Sequence, residues 1–400
     1  MKSRRIPVSA TLAILVAVTG GFFVWQLIGS PGGGPGTAKH SLRSLGPGWT
    51  KLPSPPKVRD GMSVLWAGSE LLVWGGCEHG RHHCVRVGHG SAFDPSTRTW
   101  RQIADAPIPG AYAKSTWTGT EAIVFPQRDQ GHLAGEAYNP ERERWRRIPT
   151  APIAAGDRGV VVWTGSEVIV WGGGGRGNGR PTEGAAYNPE QDAWRRIANA
   201  PIGLNLASGM WTGKEMLVFG SLLHAGNHAV TPTSVGAAYN PMSDKWRRLP
   251  ASSLSAQATS AVWVQRRMVA WDYGVRSQEY LPRTNSWTKP IKMPLDFDEC
   301  YPDSVAVAQR VFAFFCGYAA LYDPARHAWR KIHGGPLAAT VHSAAYHRSI
   351  KLWRFADLTP ATDTVFFLGE GLTLGPRGEA CYGCPGSPHS FWAYRPGRRQ

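Results

Sequence analysis

From Cys77 to Cys84 the chain reads Cys-Glu-His-Gly-Arg-His-His-Cys, the most tempting run of ligand chemistry in the sequence. His79, His82 and His83 with Glu78 offer the imidazoles and carboxylate that zinc or copper accepts. If Cys77 and Cys84 are bridged, their thiolates are unavailable, and a short closed loop does not easily bring three imidazoles onto one ion. The plainer reading is a solvated loop, so no metal and no other cofactor is assigned. Other chemistry-bearing residues are scattered: the charged pairs Arg59-Asp60 and Asp157-Arg158, and His132, Arg176 and His224. Neither a Gly-x-Ser-x-Gly elbow nor a His-Glu-x-x-His motif is present, which removes the simplest signatures of a serine hydrolase or zinc peptidase.

What must position these residues is a repeat. An aromatic, a proline two residues on and a tryptophan seven residues on recur six times. The copies are Phe93/Pro95/Trp100, Tyr138/Pro140/Trp145, Tyr187/Pro189/Trp194, Tyr239/Pro241/Trp246, Tyr280/Pro282/Trp287 and Tyr322/Pro324/Trp329. Tyr394 and Pro396 stand at the C-terminus without their tryptophan, and Trp49 stands near the N-terminus without its aromatic. A unit split between the two ends of a chain predicts a closed ring.

The tryptophans fall 41 to 52 residues apart, a period that points to propeller blades. Within the third repeat, Val160-Val161-Val162-Trp163 and Val168-Ile169-Val170-Trp171 are apolar runs around a turn containing Gly165. Glycine there, as at Gly68, Gly119 and Gly213, suits a two-residue hairpin. A third strand ends at Tyr187, Asn188-Pro189 turns the chain, and the Trp194 strand returns. Four antiparallel strands cannot hide both apolar faces, so neighbouring blades must cover them. The expectation is an all-β, seven-bladed propeller over residues 48–400. One sheet is made from both chain ends, which locks the ring.

Glycine pairs after the second strand (Gly75-Gly76, Gly172-Gly173), followed by the spaced tyrosine and tryptophan, resemble kelch repeats, as in the propeller of galactose-oxidase-like proteins. The resemblance covers roughly residues 48–396 and implies the fold far more than the activity. It decays along the chain, since repeat two has Phe125-Pro126 in place of the pair. Galactose oxidase needs a cysteine cross-linked to a radical tyrosine and copper ligands; every cysteine here has a nearby mate, so that chemistry is not expected. Sugar isomerisation, known among kelch-type propellers, would use acid–base pairs near the channel mouth. Arg59-Asp60 and Asp157-Arg158 are the candidates, with ion pairs tying adjacent blades as the simpler alternative.

Residues 1–30 stand apart. Lys2, Arg4 and Arg5 precede an uncharged run over residues 6–28, long enough to span ~30 Å of hydrocarbon as a helix. The cations predict a cytoplasmic N-terminus, and the absence of a good cleavage site before Trp25 favours a single-pass signal anchor over a secreted form. Residues 31–47 are a Gly/Pro-rich tether. Both readings place the propeller outside the cytoplasm. The six cysteines fit that compartment as local pairs: Cys77 with Cys84, Cys300 with Cys316, Cys381 with Cys384.

The net charge is +16, and much of it recurs beside the tryptophans. Arg146, Arg195 and Arg247 are expected on an exposed rim, with Arg147, Arg196 and Arg248 turned along the neighbouring blade. Such cations discourage edge pairing or attract an anionic polymer; an exported protein has no use for nucleic acid. Because the repeat positions are explained by packing, a site must lie in the variable loops at the channel ends. The reading favoured here is a monomeric, membrane-anchored extracytoplasmic module that binds an envelope protein, glycan or anionic polymer through its channel face. The alternative is a carbohydrate-active enzyme, mutarotase-like or oxidase-like.

Overall fold

The third repeat shows how sequence becomes blade. Val160–Trp163 pairs antiparallel with Val168–Trp171, which pairs with Gly184–Asn188, which pairs with Ala193–Ile197. Thr164 and Glu167 flank the Gly165-Ser166 turn, and the Thr164 hydroxyl accepts the Glu167 N–H at 2.9 Å. Gly165 takes φ +103°.

The computed structural model describes residues 42, 45–79, 84–126, 133–153, 159–172, 182–221, 234–255, 260–272, 276–294, 303–315, 318–338, 340–343, 348–351, 353–374, 380–382 and 389–397. They form seven antiparallel blades. Blades 1 to 6 span residues 60–103, 114–148, 160–197, 205–248, 260–287 and 303–332. Blade 7 takes Trp353–Ala361, Thr364–Leu374 and His389–Arg395 from the end of the chain and Gly48–Leu52 from its beginning as the outermost strand. Short extra strands flank blades 1, 5 and 7, and a separate hairpin joins Thr340–Ser343 to Arg348–Lys351. The first strand of every blade is innermost, and these strands touch in a closed ring, Trp353–Ala361 meeting both Asp60–Ala67 and Asp303–Val307. The closure expected from the split repeat is therefore present, with Trp49 opposite Tyr394 in register.

Hydrophobic burial holds the disc together, and each core lies between two blades. Val160, Val162, Ile169 and Trp171 of blade 3 share one core with Met216, Val218 and Ala237 of blade 4. The repeat aromatics Phe93, Tyr138, Tyr187, Tyr239, Tyr280 and Tyr322 are all among the fully buried side chains. Truncating such a residue removes on the order of 3–5 kcal/mol. Five repeat tryptophans then reach back to the preceding connector, while Trp329 donates to the Ser277 hydroxyl on a strand of blade 5 at 2.7 Å. The indole N–H groups of Trp100, Trp145, Trp194 and Trp246 donate to the carbonyls of Pro53, Ala104, Pro149 and Ala198, each at 2.7 Å.

The arginines behave differently from the expectation. Arg146, Arg195 and Arg247 fork the hairpin glutamates of their own blades, Arg195 reaching Glu167 at 2.8 and 2.6 Å. They also donate forward to the next blade: Arg146 to the Tyr187 hydroxyl at 3.1 Å and Arg247 to that of Tyr280 at 3.1 Å. It is Arg147, Arg196 and Arg248 that are exposed. Alternation assigned the two faces, but Trp194 already occupies the face toward the preceding blade, so the residue after it must lie along the following one.

At the far end of the same turn, Asp192, Asp244, Asn285 and His327 take φ near +50°, a region Asp and Asn tolerate. Their side chains meet the hydroxyl of their own blade's tyrosine, Asp192 at 2.5 Å and Asp244 at 2.6 Å. Burial first, then those carboxylates, push the Tyr187 and Tyr239 hydroxyls up to about 12.

Candidate functional site at the channel mouth

Each innermost strand starts, and each second strand ends, at one face of the disc. The loops after the second strands and the connectors between blades open there. Among the sequence-predicted residues that are described, Arg59 and Asp60 stand at that face, at the start of the innermost strand of blade 1. His132, Asp157, Arg158, Arg176 and His224 lie outside the described residues, as do His82, His83, Cys300, Cys316 and Cys384.

Cys77 and Cys84 form a disulfide. It closes a small hairpin in which Cys77–His79 runs against Cys84–Arg86, so these thiolates are not ligands.

Arg59 and Asp60 are not paired with each other across blades. The Arg59 Nε donates to Glu78 at 3.3 Å within blade 1, and its Nη1 to the Gly75 carbonyl at 3.4 Å. Asp60 instead accepts the Tyr112 hydroxyl from the connector into blade 2. Tyr112 N–H donates to the Gly61 carbonyl at 2.6 Å. Gly61 is required twice over: its φ is +69°, and a Cβ there would meet the Tyr112 ring at 2.9 Å. The neighbouring Gly75 serves a close approach, since a Cβ on it would lie 2.4 Å from the Gly110 carbonyl.

Deeper in, strand pairing aligns one position of every innermost strand. Ser63, Lys114, Val160, Ser208, Ser260 and Asp303 face Trp74, Phe125, Trp171, Phe219, Trp271 and Phe314 on the second strands. Asp357, opposite Leu368, holds the same register in blade 7. The serines tie neighbouring innermost strands. Ser63 Oγ donates to the Ala113 carbonyl at 3.3 Å, Ser208 Oγ accepts the Ala261 N–H at 3.1 Å, and Ser260 and Ser304 share a hydrogen bond of 3.2 Å.

Lys114 and Asp303, like Asp357, are ionisable residues at a level that serine or valine holds in blades 1, 3, 4 and 5. They sit on blades 2 and 6, which share no edge, so their attraction acts across the channel. Lys114 is half-buried. Burial drives its ammonium down to about 8, against the pull of the Asp303 carboxylate.

The sequence reading missed Lys114, Tyr112 and Asp303. The signal was available for Lys114: aligned on the tryptophans, Ser63-Val-Leu-Trp66, Val160-Val-Val-Trp163 and Ser208-Gly-Met-Trp211 leave Lys114-Ser-Thr-Trp117 as the one strand beginning with a cation. Blade 6 lacks that tryptophan, so Asp303 had no anchor for alignment.

The arrangement sets one amine and carboxylates at one level of the innermost strands, with Tyr112 on Asp60 nearer the mouth. That can bind a polar ligand, or move a proton at Lys114. Comparison with known protein families and with curated proteins finds no match to this chain.

Proposed function

We propose that the protein is a membrane-anchored, extracytoplasmic propeller of kelch type that binds a protein or glycan through its channel face. The observation that carries this reading is the Lys114–Asp303 pair. Charges held inside a channel cost folding free energy, and they stand at a level where serine or valine satisfies the fold in blades 1, 3, 4 and 5.

Glycan-array and envelope-protein binding by the full chain in detergent tests it, comparing the parent with a Lys114→Met/Asp303→Asn double variant. Ligands lost by the double variant support a channel site. An unchanged binding profile sinks it. The anchoring half of the proposal rests on the apolar run over residues 6–28, which lies outside the described residues; among these no helix is long and apolar enough to cross a membrane. A reporter active only outside the cytoplasm, fused after residue 397, should be active and membrane-bound. An inactive or freely soluble reporter removes that half.

One observation favours a second reading. An amine with its pKa near 8 suits a proton-transfer role, so Lys114 is the residue on which a mutarotase-like activity would rest. Anomeric exchange of reducing sugars no faster than in buffer eliminates it.

A further inference from the structure

The face opposite the channel mouth carries the first hairpin of each blade and the turn between its third and fourth strands. In blades 1 to 4 its charges are matched. Glu70, Glu121, Glu167 and Glu215 at the first hairpins neutralise Arg101, Arg146, Arg195 and Arg247. In blades 5 and 6 the hairpin position changes sign. Arg267 and Arg310 lie opposite Val264 and Val307 as Glu70 lies opposite Ala67.

Arg267 and Arg310 engage the acids of their own blades, Glu279 and Asp323. Arg266, Arg283 and Arg326 are exposed at the turns of this face, with Arg330 exposed on the outer strand beside them. No described carboxylate of blades 5 and 6 is exposed. A surplus of like charge repels itself, and blades 1 to 4 show that matched pairs satisfy the fold.

The cations form one sector. Gln265 donates to the Gln309 carbonyl at 2.7 Å, so the hairpin tips of blades 5 and 6 touch. Arg267 reaches the Pro324 carbonyl, in the turn that carries Arg326, at 3.3 Å. On one flank, the blade 4 turn presents Met242, 94% exposed, while Asp244 beside it accepts the Tyr239 hydroxyl. On the other flank, Arg310 meets the Gly397 carbonyl at 3.2 Å.

At that second flank the N-terminal chain joins the disc. Gly48 lies opposite Arg395, which donates to the Leu45 carbonyl at 3.1 Å. Leu42 and Leu45 are buried in the core shared by blades 7 and 1. Residues 31–41 are all the sequence between the apolar N-terminal segment and Leu42, at most about 40 Å when fully extended.

Guanidinium groups fork phosphate oxygens, and an apolar side chain beside them suits a surface whose anions overlie hydrocarbon. A soluble polyanion would leave Met242 in water. Resting on the membrane-anchored reading above, we propose that blades 4 to 6 dock this face on an anionic lipid bilayer. The arginines meet headgroup phosphates and Met242 enters the acyl boundary. The opposite face, with Arg59 and Asp60, then points away from the membrane.

The test is hydroxyl-radical footprinting of the full chain in lipid nanodiscs, read by mass spectrometry at Met242 and at Val85. Discs of phosphatidylcholine with phosphatidylglycerol are compared with discs of phosphatidylcholine alone. Each arginine near an anionic surface strengthens binding roughly fivefold, so Met242 should label at least about tenfold more slowly in the anionic discs. That protection should vanish at about 1 M salt, where the Debye length is about 3 Å. Val85, 55% exposed on the channel-mouth hairpin, should label equally in both. Arg266→Gln/Arg283→Gln/Arg326→Gln should restore labelling of Met242, and the lipid and salt dependence of the parent chain needs no variant. Equal labelling of Met242 in the two discs overturns the docking while the anchoring reading stands. A chain that separates from both discs removes the two together. Protection by soluble polyphosphate, and not by anionic discs, gives the face to an anionic polymer and overturns the lipid assignment.

Discussion

Trp49 packs on Tyr394 with ring centroids 4.9 Å apart, and at this contact the two ends of the chain become one blade. Phe312 and Phe367 meet the same indole edge-on, tying blade 7 to blade 6. The Trp49 N–H is buried without an acceptor, so its contribution is packing alone. Trp49→Ala should cost about 3 kcal/mol. Deleting residues 45–54 should open the ring and abolish a single cooperative melt; a truncated chain that melts like the parent contradicts the closure.

The outer strands make a sharper contrast between adjacent arginines. Arg195 bridges Glu167 and the Tyr239 hydroxyl, while Arg196 is exposed. Since Arg195 is itself partly exposed, Arg195→Met should cost only about 1 kcal/mol, and Arg196→Ser should stay within about 0.5 kcal/mol. Urea denaturation of the two variants decides the matter. Equal losses would mean that the forward bond to the next blade contributes nothing.

Those arginines also show where sequence reasoning stopped. The blade count and the seam at Trp49 and Tyr394 were legible, because the repeat aromatics and tryptophans are packing residues whose spacing follows strand geometry. Which face Arg146 or Arg147 takes depends on the hand of the neighbouring blade, and no local period carries that information. Arg59 and Asp60 were legible as charges at the right end of a strand. Their partners were not, because Tyr112 reaches Asp60 only through its left-handed backbone and the glycine at position 61.

Cysteine pairing extends from an observed bridge to two proposed ones. Cys77–Cys84 is closed in the structure. Non-reducing peptide mapping should return it together with Cys300–Cys316 and Cys381–Cys384. A free thiol, or a bridge between blades, would overturn the local-pair rule.

Lys114 gives stability a defined pH dependence. Its pKa falls from 10.5 to about 8 on folding. Below pH 8 both states hold the proton, and the folded state bears the full cost of keeping an ammonium in the channel. Between pH 8 and 10.5 the unfolded chain retains a proton that the folded chain has released, so the contribution of Lys114 to stability rises with pH across that window. Lys114→Met should therefore be the more stable protein at pH 7, by up to about 3 kcal/mol, and the difference should close by pH 10.5. A variant less stable than the parent at pH 7 would show that Asp303 over-compensates the burial.

The channel site itself is tested most directly by competitive acylation of every lysine in the intact chain, read by mass spectrometry from neutral to alkaline pH. Lys114 should become half-reactive near pH 8 and should be shielded when a protein or glycan ligand is bound. A Lys114 that titrates at the ordinary lysine value of 10.5, and that no ligand shields, would contradict the assignment of the channel as the working part of the molecule.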